Sequence, residues 1–179
     1  KTKESIQNPT EIQKMSKTGK IGNKQTIIDI NSGNNKYKIS YNFRKIESLF
    51  SFLSIRANNC VFRGKWCYEV QLITNGLMQI GWCQLNTLFT EKEGVGDDST
   101  SYAYDGWRKV TWHGKNNEYG NLWDVGDIIG VCIDLENRII EYYLNGEKLG
   151  VAFKDLEIGP NIAYFPGISL SNGEKCYFN

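Results

Sequence analysis

The fold is decided by a stretch near the middle of the chain that reads as a strand, a turn and a second strand. It runs Lys65-Trp66-Cys67-Tyr68-Glu69-Val70-Gln71-Leu72-Ile73, then Thr74-Asn75-Gly76, then Leu77-Met78-Gln79-Ile80-Gly81-Trp82-Cys83. Alternating or wholly apolar runs of this length are typical of β-strands, and Asn-Gly suits the positive φ angles of a tight hairpin turn. The stretch therefore predicts two strands joined by a short turn.

Short apolar or alternating runs separated by turn residues continue on both sides of this stretch, from residue 26 to the end. Further strands are predicted at 26–30, 37–41, 128–135, 139–144, 149–153, 168–170 and 175–178. Turn signals separate them at 31–35, 136–137 and 145–146. No segment has the pattern of a long amphipathic helix, and no internal repeat indicates a propeller or solenoid. Many short strands at regular spacing predict an all-β sandwich of two antiparallel sheets.

The first 24 residues differ from the rest because they are polar and carry only a weak helical signal at 10–17, with Thr10 as a possible cap. We expect a tail or linker at 1–24 and one folded domain at 25–179, a size at which a single core suffices. The chain begins at Lys1 rather than Met, and we expect it to be a segment of a longer protein.

Charge excludes some classes of partner. The chain has 21 basic and 20 acidic residues, a formal net charge of +1 and a pI of about 7.7. No strong field is available to steer nucleic acid or anionic lipid, so neither is expected as a partner. The N-terminus does not have the pattern of a signal peptide, and no apolar run is long enough to span a membrane.

The cysteines form an odd set without a CxxC pair, and most lie inside apolar runs. They are Cys60, Cys67, Cys83, Cys132 and Cys176. We expect reduced, buried thiols on strands, which behave as small apolar side chains, in preference to disulfides or zinc ligands.

Catalytic chemistry finds little support. His113 is the only histidine, and its setting at the end of an aromatic strand favours an exposed or loop-bound ring over a catalytic one. The Gly-containing loop 93–98 has acidic flanks that would repel phosphate. Asp97 and Asp98 could bind calcium together with Asp105, but the regular ligand spacing is missing and a solvated acidic turn is the better reading. No catalytic residue, metal or cofactor is expected.

Sugar and nucleic-acid binding rest on thinner signals. No pair of carboxylates stands out for glycoside hydrolysis. One cluster, Trp107-Arg108-Lys109, mixes aromatic and basic residues, and a single cluster is weak evidence for nucleic acid.

Several motifs in order resemble those of the SPRY domain (B30.2/SPRY superfamily), over about residues 26–179. Arg63-Gly64-Lys65-Trp66-Cys67-Tyr68-Glu69-Val70 is similar to its G-K-W-Y-Y-E-V strand, 78–83 to its I-G-W strand and 96–106 to its G-D-x-x-x-S-Y-A-Y-D-G segment. The order continues through 119–123, 126–131, 143–153, 164–170 and 177–179, and 52–58 resembles the strand before the first motif. The runs 54–58, 77–82 and 101–106 most resemble the SPRY domain of large cytoplasmic RING-type E3 ubiquitin ligases.

The resemblance implies a SPRY-type β-sandwich with a polar N-terminal extension. It also implies a non-enzymatic module that binds a protein or peptide through its end loops, as the substrate-recognition part of a RING-type ligase, in the cytoplasm or nucleus and beside other domains of its parent. The candidate loops are 55–59, 88–100, 107–109 and 171–174. Partner-binding residues are expected to be Arg56, Asn58, Asn59, Phe89, Glu91, Trp107, Arg108 and Asn172.

The roles of these residues differ. Arg56 offers a bidentate fork to a peptide, with a structural salt bridge as the equal alternative, and Trp107 offers an aromatic anchor. The strand-borne Trp66, Tyr68, Trp82 and Trp123 are expected to fill the core instead.

The peptide specificity of better-known relatives is not expected here. Those relatives carry a Tyr before the Val-Gly turn and a Val-Trp-Gly in the last loop, whereas this chain has Glu91 and 171–173 at these places. The alternative function is a structural docking domain packed within a larger protein or complex, through exposed residues such as Leu88, Phe89 and Trp107. Glycan or nucleic-acid binding ranks below both.

Overall fold

The computed structural model describes residues 18–34, 36–40 and 42–179. The strands are β1 Lys20–Ile21, β2 Tyr37–Ser40, β3 Lys45–Ser48, β4 Leu53–Arg56, β5 Cys60–Val61, β6 Lys65–Leu72, β7 Met78–Cys83, β8 Ser101–Asp105, β9 Val110–Trp112, β10 Asn116–Glu118, β11 Ile128–Asp134, β12 Ile139–Leu144, β13 Glu147–Phe153, β14 Phe165–Leu170 and β15 Lys175–Phe178. The helical signal predicted at 10–17 lies outside the described residues. Within the described ranges, no helix has the length and apolar content needed to cross a membrane.

Two large antiparallel sheets form the sandwich. One has six strands in the order β10-β9-β8-β7-β14-β4, and the other has seven in the order β13-β12-β11-β6-β15-β3-β2. The predicted all-β sandwich is confirmed. Strands β1 and β5 pair separately, so Lys20 and Ile21, which lie within the predicted tail, contact the domain.

Alternation along the strands sends one set of side chains into the space between the sheets. Tyr68, Val70 and Leu72 of β6 are buried there, opposite Ile80 and Trp82 of β7. Trp123 is also buried in this core and Trp66 packs against it half-buried, as the sequence predicts. Ring pairs hold the centre together, including an edge-to-face contact between Tyr68 and Trp82 at 5.2 Å.

One strand prediction and two turn predictions need correction. Residues 26–30 form only an isolated bridge, between Ile28 and Ala57, because Asp29 and Ser32 turn the chain with bonds of their own. The Asn145-Gly146 hairpin is confirmed, with φ angles of 52° and 83°, whereas the turn before β12 has its positive φ at Arg138 rather than at 136–137. No positive φ occurs at 74–76, so that connection is not the tight turn expected there.

The prediction that all five cysteines are reduced and buried is wrong for two of them. Cys67 and Cys132 form a disulfide, whereas Cys60, Cys83 and Cys176 are free and buried. The reason is register: the two residues lie directly opposite each other on β6 and β11, with Cα atoms 4.1 Å apart. Side chains are closest at such non-hydrogen-bonded antiparallel pairs, so both sulfurs meet on the outer side of the sheet.

Candidate functional site

Loop 84–100 lies across the outer face of the six-stranded sheet and is anchored by polar contacts. The hydroxyl of Ser169 accepts a hydrogen bond from the Val95 amide at 2.8 Å and contacts the hydroxyl of Ser54 at 2.8 Å. At the base of the loop, the hydroxyls of Thr87 and Thr100 lie 2.8 Å apart. These bonds replace water for buried strand groups, so the loop is positioned by the sheet beneath it.

A small second core lies between this loop and the sheet. It consists of Cys83, Val95 and Ala103, with the partly buried Phe89, Trp112 and Phe165 packed against it. Burial raises the pKa of the Cys83 thiol to about 12, which leaves this thiol protonated and unreactive at neutral pH. The predicted contact residue Phe89 therefore contributes part of its ring to packing and part to the surface.

Arg56 borders this second core at the end of β4. Its guanidinium lies 5.1 Å from the ring centroid of Phe165, and Nη1 donates to the carbonyl oxygen of Leu85 at 3.0 Å. Among the described residues it forms no salt bridge, so the structural alternative predicted for it is absent there. A guanidinium has five N–H donors in a planar fork, and most of them remain available to a ligand.

Two leucines lie in the loop that Arg56 contacts through the Leu85 carbonyl. Leu85 is 68% exposed and Leu88 is 73% exposed, although both are large apolar residues. Together with Arg56, Phe89 and Phe165 they form what we term the Arg56 surface, which combines an apolar patch, an aromatic ring and a free cationic fork. This combination is typical of the centres of protein interfaces.

The acidic turn in the same loop is engaged internally. Asp97 accepts from the Gly94 amide at 2.7 Å and from Gln79 Nε2 at 2.9 Å. Asp98 accepts from the Thr100 amide and hydroxyl and from the Ser101 hydroxyl. These carboxylates close the loop, and no cluster of three potential metal ligands occurs in the described part of the chain.

Two of the predicted contact residues hold the N-terminal segment. Asn58 Oδ1 accepts from the Ile27 amide at 3.0 Å, and Asn59 Nδ2 donates to the Thr26 hydroxyl at 2.7 Å. Asn59 is only 2% exposed. Both side chains therefore have structural partners.

Trp107 and Arg108 lie elsewhere, in the turn after β8. The register of β4, β14, β7 and β8 places this turn on the order of 20 Å from Arg56, three strands across and about four residues along. Trp107 is exposed. Arg108, in contrast, donates from Nε to Asp105 Oδ2 at 2.5 Å, and its guanidinium stacks on the Trp112 ring. The structure thus separates Arg56 from Trp107, two of the residues that the sequence analysis expected to bind the partner.

Glu91 and Asn172 are both exposed and border a third region. Thr90 accepts from Asn34 Nδ2, which also reaches the carbonyl of Phe52, and the Gly173 amide donates to Ser48. Asn172 therefore lies beside a residue that contacts the segment 48–52, and Glu91 lies beside one that is linked to this segment through Asn34.

His113 has a structural environment. Its ring stacks on Tyr102 with centroids 4.1 Å apart, and Nδ1 lies 2.8 Å from the carbonyl oxygen of Ser101. Neither contact is with the side chain of a serine or cysteine nucleophile. The contacts agree with the prediction that His113 is held by its surroundings in the fold.

Sequence reasoning missed Leu85 and Phe165 as members of the candidate surface. Leu85 precedes the predicted loop 88–100, and Phe165, the first residue of β14, lies before the strand predicted at 168–170. Neither carries a local signal, because each joins the surface through contacts to residues far away in the chain.

Comparison with known proteins agrees with this architecture. The SPRY domain profile matches residues 65–179. E3 ubiquitin-protein ligase RKP of Arabidopsis thaliana is 49% identical over 135 residues, which cover 75% of this chain and 10% of that protein. ATP-dependent RNA helicase DDX1 of Xenopus laevis is 30% identical over 119 residues, 66% of this chain and 16% of that protein. The chain thus spans a small part of either relative, and it belongs to the SPRY domain family.

Proposed function

We propose that this SPRY domain binds a protein segment through the Arg56 surface, as the substrate-recognition part of a RING-type E3 ubiquitin ligase. SPRY domains are generally protein-interaction modules, and the relative with 49% identity is an E3 ubiquitin-protein ligase. Localisation in the cytoplasm or nucleus is part of the same proposal.

The observation that carries this proposal is that Arg56 contacts a loop which is anchored by hydrogen bonds and carries two largely exposed leucines, Leu85 and Leu88. A rigid loop loses little entropy when it binds, and exposed apolar area provides most of the driving force. The fork of Arg56 adds a preference for a carboxylate or a backbone carbonyl on the partner. We therefore expect an apolar protein segment that carries an acidic side chain.

A matched pair of variants tests the location of the surface. Leu85→Asp/Leu88→Asp places charges in the Arg56 surface. Leu122→Asp/Val125→Asp places them on two comparably exposed residues, 61% and 59%, on either side of Trp123, whose ring packs against Gly106 in the Trp107 turn. Equal melting temperatures first verify that wild type and both variants are folded. Quantitative mass spectrometry then compares the proteins that each of the three captures from lysate. We expect wild type and the Leu122/Val125 variant to retain the same partner and the Leu85/Leu88 variant to lose it.

The remaining outcomes are equally informative. Retention by both variants would show that the Arg56 surface is the wrong one. Loss by the Leu122/Val125 variant alone would place the partner on another set of exposed apolar residues, which includes Trp107, Leu122 and Val125, and would favour the docking alternative. Ubiquitin transfer is tested separately: the half-life of a captured substrate should lengthen when the parent ligase carries Arg56→Ala, and Arg56→Lys should not restore it, because an ammonium lacks the fork.

A further inference from the structure

A cavity opens between the two sheets beneath residues 20–26, on the opposite side of the six-stranded sheet from the Arg56 surface. Its volume is about 430 Å³, within the range of small-ligand sites. Tyr68, Trp82 and Phe178 form aromatic walls, and the rings of Tyr68 and Phe178 stack at 5.4 Å. We term it the Trp82 cavity.

Two buried polar atoms at this cavity lack hydrogen-bonding partners. Among the described residues, four buried side-chain atoms are unpaired, and two of them belong to cavity-lining residues: the Nε1 donor of Trp82 and the Oδ1 acceptor of Asn59. Both side chains are 98% buried, since each is 2% exposed. Buried polar groups are paired in nearly all native proteins, so the unpaired donor and the unpaired acceptor of these two cavity-lining residues leave two hydrogen bonds for a ligand to supply. An amide does so with its carbonyl oxygen and its N–H.

The charged side chains that line the cavity are all basic. Lys20, Lys24 and Arg44 line the cavity, and no aspartate or glutamate does. Lys20 Nζ is held by the Thr26 hydroxyl at 3.1 Å, whereas Lys24 and Arg44 form no salt bridge within the described part of the protein. The opening therefore favours an anion.

We propose that the Trp82 cavity is a second binding site, which takes an N-acylated apolar amino acid with a free carboxylate, the chemistry of a peptide's C-terminal residue. The apolar side chain packs between the aromatic walls, the amide pairs with Trp82 Nε1 and Asn59 Oδ1, and the carboxylate meets Lys24 and Arg44. Residues 1–17 of the chain itself fit poorly as the occupant, because they carry four lysines and two glutamates, a net charge of +2.

The probe is N-acetyl-L-phenylalanine, and the readout is the Trp82 indole N–H signal in NMR spectra of the 179-residue chain. The signal is assigned by its absence in Trp82→Phe, which removes the donor but keeps an aromatic ring. Neutral N-acetyl-L-phenylalaninamide is the matched control ligand. We expect the acid to shift this signal saturably and the amide to bind roughly tenfold more weakly. The Lys24→Gln/Arg44→Gln variant should lower the affinity for the acid to a similar degree, since each of the two charges contributes modestly. Lys115→Gln/Lys154→Gln, which removes two exposed lysines elsewhere, should change nothing.

Three results would overturn the proposal. The first is no shift of the Trp82 signal with the acid. The second is equal binding of acid and amide, or an unchanged affinity in the Lys24/Arg44 variant. The third is a Trp82 signal that moves when residues 1–17 are deleted but not when the probe is added, which would assign the cavity to the chain's own N-terminal segment. The Leu85→Asp/Leu88→Asp variant should bind N-acetyl-L-phenylalanine like wild type. This experiment therefore tests the Trp82 cavity independently of the Arg56 surface.

Discussion

Replacing Arg108 with alanine is expected to destabilise the domain because it leaves a buried carboxylate without its cation. The side chain of Asp105 is 0% exposed, and it accepts from Arg108 Nε at 2.5 Å and from the Arg108 amide at 3.1 Å. Removing one partner of a buried ion pair typically costs about 3–5 kcal/mol. Because the Arg108 side chain is 34% exposed and partly screened by water, we expect about 2–3 kcal/mol at neutral pH.

The pH dependence of this loss separates the charge effect from lost packing. Burial raises the pKa of Asp105 above its ordinary value, and the charge and hydrogen bonds of Arg108 oppose that rise. With its pKa raised on folding, Asp105 favours the folded state while it is protonated and loses that contribution as pH rises through the folded pKa. Removing Arg108 raises this pKa further, so the deficit of the variant is largest near neutrality and shrinks in acid. The loss of the stack on Trp112, about 0.5–1 kcal/mol, remains at every pH.

Urea unfolding followed by tryptophan fluorescence, at about pH 7 and about pH 4.5, measures these free energies. Arg108→Ala is compared with Asp105→Asn, with the double variant and with Lys115→Ala as an exposed control. The double variant should be more stable than Arg108→Ala at neutral pH, because a neutral amide costs less to bury unpaired than a carboxylate. An identical deficit at both pH values, or a double variant that loses the sum of the two single losses, would refute the reasoning.

Three further perturbations are expected to change stability. Reducing the Cys67–Cys132 disulfide, whose cysteines are 65 residues apart, should lower the free energy of unfolding by up to about 4 kcal/mol. Thermal melting with and without reductant measures this loss, and the melting of Cys67→Ser/Cys132→Ser should not change with reductant. Trp82→Ala should cost about 3–5 kcal/mol in chemical unfolding, whereas Leu122→Ala on the surface should stay within about 0.5 kcal/mol. Gly81→Ala should abolish soluble folded protein because a Cβ there overlaps the Tyr102 carbonyl of the neighbouring strand, whereas Gly173→Ala, with open space but a φ of +83°, should lose only about 1–2 kcal/mol.

The long strands were predictable because their signal is local. Strands β6, β7, β11, β12 and β15 were placed within one residue of their observed ends, since each has a continuous apolar or alternating run bounded by turn residues. The short strands at Lys20–Ile21, Lys45–Ser48 and Cys60–Val61 were missed. Segments of two to four residues become strands only because a distant partner is present, as Cys60–Val61 does opposite Lys20–Ile21. Propensity over so few residues cannot indicate such pairing.

The candidate surface shows the same limit at the level of side chains. Arg56 was identified from the family motif, but its contacts, the Leu85 carbonyl and the Phe165 ring, are 29 and 109 residues away in the chain. Motif order likewise placed Trp107 and Arg56 on one set of end loops, whereas the antiparallel register sends them to separate places. Which loops share a surface is a property of the register, and the register is set by core packing across the whole sheet.

The disulfide marks the boundary between what alternation can and cannot reveal. Tyr68 and Val70 face the core, so Cys67 and Glu69 must face outward, and the same reasoning places Cys132 outward between Val131 and Ile133. The outward direction of both thiols was thus readable from the sequence, against the expectation of burial. Their pairing was not, because a shift of one residue in the register between β6 and β11 would turn every β11 side chain to the other face of the sheet, with Cys132 facing the core and Val131 or Ile133 opposite Cys67. The disulfide therefore depends on the same register that buries Val70 opposite Ile129. Loss of core packing at that pair should weaken the register and, once the disulfide is reduced, let Cys67 and Cys132 move apart.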